Sequence, residues 1–297
     1  MIALVGGTGR LGSRLADRLV RSQLAVRVVA REPDRLAPSL REHVEVAAAD
    51  VTEPSTLAAA LSGCDTVVSA ITGFGDPGAA GPRAVDREGN LALITAAETA
   101  RCARFVLVSV HRASETSPVE LFRAKAAAEA RLRTSRMAWT VVRPTAYLET
   151  WLEVVGRPLA EAGRARIFGS GTNPVNFVAV DDVAAIIERV VVDWPAAGQA
   201  ITVAGPRNMT LNELAQEIEE VIGRPARIDH VPRLVLRLGS ALLGPIRPPV
   251  ADLLRAALLM DRSDMRVDTA NRLMWFPEVP VTGTDSVVAR TFAGPGA

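Results

Sequence analysis

Apolar positions along this chain follow two habits that take turns. Short apolar runs stand at residues 2–5, 26–30, 44–48, 66–70, 105–110 and 139–143. The run 66–70 has no alternation at all, the pattern of a strand buried on both faces. Between the runs, apolar residues return every three or four positions: Leu11, Leu15 and Leu19 in the first such segment, Leu91, Ile94 and Ala97 within 85–100, with a further helix over 119–135. A short helix over 55–61 ends at Gly63. Strands alternating with helices predict an α/β fold built on a doubly wound parallel sheet.

After Pro144 the alternation loosens. Residues 147–161 read as helical and 163–174 as a glycine-rich connection. Residues 176–180 read as a strand leading into Asp181 and Asp182, the expected N-cap of a helix over 183–192. A strand follows at 199–203. Thr210-Leu-Asn-Glu spells a capping box, with an apolar stripe of Leu211, Leu214, Ile218 and Ile222 and a stop at Gly223. From Arg224 onward the pattern predicts two apolar helical segments broken by prolines and no strong strand.

Composition narrows the class. A chain of 297 residues, 48% of them hydrophobic, can bury a sizeable core, and a net charge of +1 gives no electrostatic case for nucleic acid. Cys64 and Cys102 are too few and too far apart for a disulfide framework or a zinc cluster, so no metal site is expected and a reducing, cytoplasmic setting is. Arg and Asp interrupt every long apolar run, including 234–243 and 250–260, so no membrane role is expected either. Of the 34 basic residues all but one are arginine; the exception is Lys125. Where such a bias spares one lysine, its compact ammonium is a candidate for a specific task.

The candidate chemistry begins at Gly6-Gly7-Thr8-Gly9-Arg10-Leu11-Gly12, a tight turn between the first strand and the first helix. Glycines at 6, 9 and 12 let backbone N–H groups approach a pyrophosphate at a helix N-terminus, as in Rossmann-type dinucleotide sites. Arg31 stands directly after the second strand, where an acidic residue would bind a ribose 2′-hydroxyl. Arginine there, with Arg10 and Arg35 nearby, favours NADP(H) over NAD(H). Asp50, beside Val51 after the third strand, is placed either to contact adenine or to cap the helix that follows. Ala70, Ile71 and Thr72 lie at the carboxyl edge of the sheet, where ligands sit in such folds. Residues 73–83, with four glycines and two prolines, are either a flap over the cofactor or an ordinary surface loop. His111, two residues past Ser109, is a candidate proton donor near neutral pH, weighed against a plain hydrogen-bonded structural role. The expected organisation is a Rossmann domain over 1–149, completed by about 176–204, with a small, mostly helical substrate or lid region over 150–175 and 205–297. Leucines there, among them Leu152, Leu234, Leu242 and Leu253 with Val154, fit either an apolar substrate or ordinary core.

Taken in order, GGTGRLG, ARE after the second strand, FVLVSV at the fifth, Lys125, TVVRPT at the sixth and NFVAVDDVA resemble the atypical short-chain dehydrogenase/reductases. The likeness is greatest to NmrA-like NAD(P)-binding proteins, near the isoflavone-reductase-like enzymes. The resemblance implies NADP(H) bound through residues 6–12, Arg31, Asp50, Val51, residues 70–72, Ser109, Lys125 and Pro144. It also implies that Ser109 and Lys125 stand at the family's serine and lysine positions. Leu121, four residues before Lys125, occupies the place of the usual tyrosine and cannot donate a proton. Tyr147 is the sole tyrosine and the remaining phenolic candidate, weighed against a packing role. Two readings follow. One is an oxidoreductase passing hydride from NADPH to a small apolar quinone, enone or ketone. The other is a catalytically silent NADP(H) sensor that meets a regulatory protein partner. A homodimer is compatible with both.

Overall fold

In a computed structural model, which describes residues 1–75, 80–193, 197–223, 225, 227–269 and 276–292, the described residues form twelve strands, one of them at each apolar run. They are β1 (Ile2–Val5), β2 (Val26–Ala30), β3 (Glu45–Ala48), β4 (Thr66–Ser69), β5 (Arg104–Val108), β6 (Ala138–Pro144), β7 (Ala146–Tyr147), β8 (Arg164–Phe168), β9 (Val175–Val178), β10 (Gln199–Val203), β11 (Asn208–Met209) and β12 (Arg227–Val231). Seven of them form one parallel sheet in the order β10-β6-β5-β4-β1-β2-β3. The reversal of order between β1 and β4 is the switch point at which doubly wound sheets hold ligands. Central β1 and β4 are buried throughout, which is why their sequences carry no polar alternation. Edge strand β3 is largely exposed, and Glu45 pairs with Arg27 beside it on β2.

The first helices are α1 (Arg10–Arg21), α2 (Pro38–Arg41), α3 (Leu57–Leu61), α4 (Asn90–Thr99) and α5 (Glu120–Arg133). Leu57, Leu61, Leu93, Ile94 and Leu132 pack with Phe105, Leu107 and Val141 in one apolar cluster. The helix expected over 85–100 opens early, with a wide π-helical turn at Arg83–Gly89 before α4. Residues 76–79 of the glycine-rich loop lie outside the described residues. Its two described ends are pinched together, for a Cβ on Gly73 would stand 2.6 Å from the Gly81 carbonyl oxygen.

The chain divides into two compact units, Met1–Pro144 with Val183–Val203, and Thr145–Asp182 with Ala204–Ala297. Only β10 of the later strands joins the large sheet. β9, expected to help complete it, instead pairs in parallel with β7 and antiparallel with β11. The second unit has its own core, where Leu148, Leu152, Ile167, Phe177, Leu214 and Ile218 pack together and Trp151 meets Phe177 edge to face.

Two expectations for this unit are corrected. The glycine-rich connection contains β8, and the strand-free stretch after Arg224 contains β12; the two pair in parallel. Their outward positions are charged, with Arg164 bonded to Asp229 at 3.1 Å, so neither strand shows an apolar run. The helix expected over 183–192 begins at Val180, and its cap is not Asp181 or Asp182. The Glu149 carboxylate accepts from the Val180 N–H, while Asp182 accepts from the Thr282 amide and hydroxyl. Leu152 is core, whereas Val154, Leu234, Leu242 and Leu253 are exposed.

Candidate cofactor site

Each glycine of the first turn answers a different demand. Gly6 has φ +88°, a left-handed conformation that side chains disfavour. On Gly12 a Cβ would fall 2.1 Å from the Gly6 carbonyl oxygen, so only hydrogen lets α1 sit this close to the turn. Gly9 is under no such compulsion. Its φ is −79°, and a Cβ there would meet only the Gly6 oxygen, at 3.3 Å. Gly9 is nevertheless exposed and is the N-cap of α1, with no side-chain cap and no acidic residue in the first turn. A helix stabilised only by its own chain would favour Ser, Thr, Asp or Asn there, followed by an acid. Thr8, Arg10 and Leu11 complete a positive helix end suited to an anion.

The flanking edges are built from the ends of neighbouring strands. The carbonyl of Ala70 and the side chain of Ile71 lie against Gly6, closing one side of the turn. Arg31 follows β2 immediately and is exposed, as are Arg10 and Arg35. Asp50 does not cap the helix that follows, whose first turn opens after Glu53; its carboxylate instead accepts from the Thr52 amide and hydroxyl, both at 2.8 Å, and closes a local turn. Val51 is buried, and a Cβ on Gly89 would stand 2.7 Å from it, so its side chain serves packing.

Lys125 is buried in α5, its ammonium 3.0 Å from the Asp86 carboxylate and donating to the Ile71 carbonyl at 2.8 Å. The other oxygen of Asp86 accepts from the Gly73 amide at 2.8 Å and the Thr72 hydroxyl at 3.4 Å. The Asp86 carbonyl accepts from Asn90, which in turn accepts from Ser69. This chain of bonds ties the end of β4 to the π-helical turn. Lys125 therefore faces a buried carboxylate that neutralises its charge, which leaves it poorly suited to stabilise a developing anion.

The Ser109 hydroxyl donates to Glu129 at 2.6 Å, and Arg143 and Arg133 complete the shell of that carboxylate. Burial opposes ionisation of Glu129, but bonds from Arg143 and Ser109 outweigh it and hold the carboxyl below its ordinary value. The Ser109 proton is thus already committed. His111, whose amide donates to the Pro144 carbonyl, is pushed down to about 4 by burial and by the charges of Arg112 and Arg143. It is neutral at pH 7, so the expectation of an acid titrating near neutrality is corrected. Tyr147 belongs to the second unit, in β7, and its phenol is pushed above its ordinary range by burial and by Glu149. Leu121 is half-buried one turn before Lys125.

Asp86 and Glu129 were not picked out by sequence reasoning. A signal was there for Glu129: it lies one helical turn after Lys125, on a stripe with Phe122 and Leu132 that is otherwise apolar. Asp86 shows the same sign, a carboxylate beside Val85 on the buried side of its turn.

Among known proteins, an NAD(P)H azoreductase from Xenophilus azovorans is 31% identical over 228 residues, 76% of each chain. The photosystem II assembly factor Ycf39 of Synechocystis is 28% identical over 237 residues, 80% of this chain and 72% of that protein. The structure of the NADPH-dependent quinone oxidoreductase QOR2 from Escherichia coli, complexed with NADPH, superposes with a TM-score of 0.79 at 22% identity, covering 98% of this chain and 100% of that one. A family model described as NAD(P)H-binding matches residues 6–193, from the first glycine of the turn to the end of the helix before β10. With its parallel sheet, its glycine turn and this match, the chain belongs to the NAD(P)H-binding family, in keeping with its resemblance to the atypical short-chain dehydrogenase/reductases.

Proposed function

We propose that this protein is a cytoplasmic NADPH-dependent oxidoreductase whose acceptor is a small, apolar, conjugated molecule of the quinone class. The observation that carries this reading is that both inherited catalytic positions are satisfied from within. Ser109 gives its proton to Glu129, and Lys125 faces Asp86. His111 is neutral at pH 7 and Leu121 has no proton to give. An acceptor suited to such a site takes hydride and holds the resulting charge by delocalisation until solvent protonates it. A quinone or extended enone does so; a simple ketone does not.

The nicotinamide supplies the hydride when bound. The protein's part is position. Backbone N–H groups at the start of α1 hold the pyrophosphate, and Arg31 with Arg10 meets the 2′-phosphate. Lys125 has two of its three ammonium hydrogens engaged, which leaves one for a ribose hydroxyl. Relatives named as an NAD(P)H azoreductase and a quinone oxidoreductase support the class. The second reading, a silent NADP(H) sensor, draws on the same committed protons and on the relative named as an assembly factor.

The test is NADPH oxidation, followed by absorbance, over a panel of quinones, enones, azo dyes and ketones, with calorimetry of NADPH binding alongside. Quinones and enones oxidising NADPH while simple ketones do not is the expected result. NADPH binding with no oxidation over the whole panel would remove the enzyme reading in favour of the sensor.

A further inference from the structure

In the second unit, α10 (Arg233–Leu243) and α11 (Pro248–Arg262) form a hairpin whose outward side is apolar. Here α10 and α11 follow the short helices α6 (Leu148–Trp151) and α7 (Arg157–Ala162), with α8 (Val180–Asp193) and α9 (Leu211–Ile222) between. On α10 the buried stripe is Leu236 and Ser240. The opposite face, where a surface helix ordinarily carries polar residues, holds Leu234, Leu238 and Leu242 at successive turns, with Val235 beside them. Leu242 is 71% exposed, and Ile246 at the hairpin tip is 75% exposed. Val250 and Leu253 extend the apolar surface onto α11. The two helices cross closely at Gly239, where a Cβ would stand 3.1 Å from Leu254, so these residues belong to one packed pair. Apolar surface on this scale marks a docking site.

The charges around it decide the occupant. Between Asp229 and Asp252 there is no acidic residue, while Arg233, Arg237 and Arg247 all lie in that interval. Asp252 itself is buried, and Arg233 is held against buried Asp261. Arg237, one helical flank away from the leucine stripe, and Arg247, next to Ile246, are exposed. We infer that this hairpin tip is a docking surface for an anionic lipid bilayer, lying in the interface with its leucines among the acyl chains and its arginines at the headgroups. A second copy of the chain fits less well, because a symmetric contact would set arginine against arginine around an apolar centre. Among the described residues no helix is long and apolar enough to cross a membrane, so the attachment is peripheral.

The test is co-sedimentation of the full-length protein with vesicles of equal parts phosphatidylcholine and phosphatidylglycerol, against vesicles of phosphatidylcholine alone. Binding to the anionic vesicles, weakened by salt and roughly 30-fold weaker on neutral ones, is expected from two interfacial arginines. Leu242→Asp with Ile246→Asp should abolish it, with NADPH affinity and melting temperature unchanged because both side chains are outside the core. Arg237→Glu with Arg247→Glu gives a second variant that leaves the apolar face intact and should lose only the preference for anionic lipid. No binding to either vesicle overturns the inference, as does a concentration-dependent dimer that the Leu242→Asp, Ile246→Asp variant dissolves.

Discussion

Replacing Gly9 with serine separates what the fold needs from what the ligand needs. The backbone there already has N-cap geometry, with φ −79° and ψ 173°, and the new Cβ would stand 3.3 Å from the Gly6 oxygen, a contact relieved by a few tenths of an ångström. Serine at an N-cap is better than glycine by about a few tenths of a kcal/mol, so the unliganded variant should melt at the wild-type temperature or slightly above. Its hydroxyl, however, takes an N–H of the first turn that a pyrophosphate would use. Losing one charge-assisted hydrogen bond costs about 2 kcal/mol, or roughly 30-fold in affinity. At NADPH one hundred times the wild-type dissociation constant, ligand stabilises the wild type by about 2.7 kcal/mol, and a site 30-fold weaker gains only about 0.9. The difference, about 2 kcal/mol, corresponds to a thermal shift smaller by about 3 °C in a chain of this size. Paired melts with and without NADPH, checked by calorimetry, measure both halves. A variant that melts several degrees lower without ligand, or binds NADPH as tightly as wild type, would refute the assignment of this turn to phosphate.

Arg31→Asp should raise the preference for NADH over NADPH at least tenfold in competitive binding, by trading attraction to the 2′-phosphate for repulsion; an unchanged ratio would mean another residue meets that phosphate. Lys125→Met leaves the carboxylate of Asp86 buried without its partner and should cost about 3–5 kcal/mol of stability, measured by chemical denaturation, besides lowering any turnover. Lys125→Met combined with Asp86→Leu should recover much of that stability while turnover stays low, and failure of the recovery would argue against the pair. For His111 the folded value of about 4 lies below the ordinary 6.5, so the unfolded chain binds the proton first as pH falls. Its contribution is whole above pH 6.5 and is lost between there and pH 4; His111→Gln should flatten the stability profile in that window, and an unchanged profile would place the titration elsewhere.

The parallel sheet was legible because strands buried on both faces must be apolar at every position, as β1 and β4 are. The glycine turn was legible because Gly6 and Gly12 meet steric demands that no other residue satisfies. The partners of Ser109 and Lys125 were not. Glu129 and Asp86 reach them from 20 and 39 positions away in sequence, distances that only the sheet and its crossover helices bring together. β8 and β12 escaped notice for the reverse reason, since a two-stranded ribbon with charged outer positions has no apolar run to announce it. The leucines of α10 showed a clear period, but that period marks a face without saying whether the protein itself covers it.

The last strand of the large sheet is supplied by residues 199–203, after the chain has left at Pro144 and laid down the first part of another unit, Thr145–Asp182. A ribosome therefore emits six strands of the sheet long before the seventh, and until then β6 offers an open row of hydrogen-bonding groups along its outer side. A fragment cut at residue 149 would keep the whole glycine turn yet carry that raw edge permanently. Its expected fate is aggregation, so a truncated nucleotide-binding half is a poor substitute for the full chain in any assay of the cofactor.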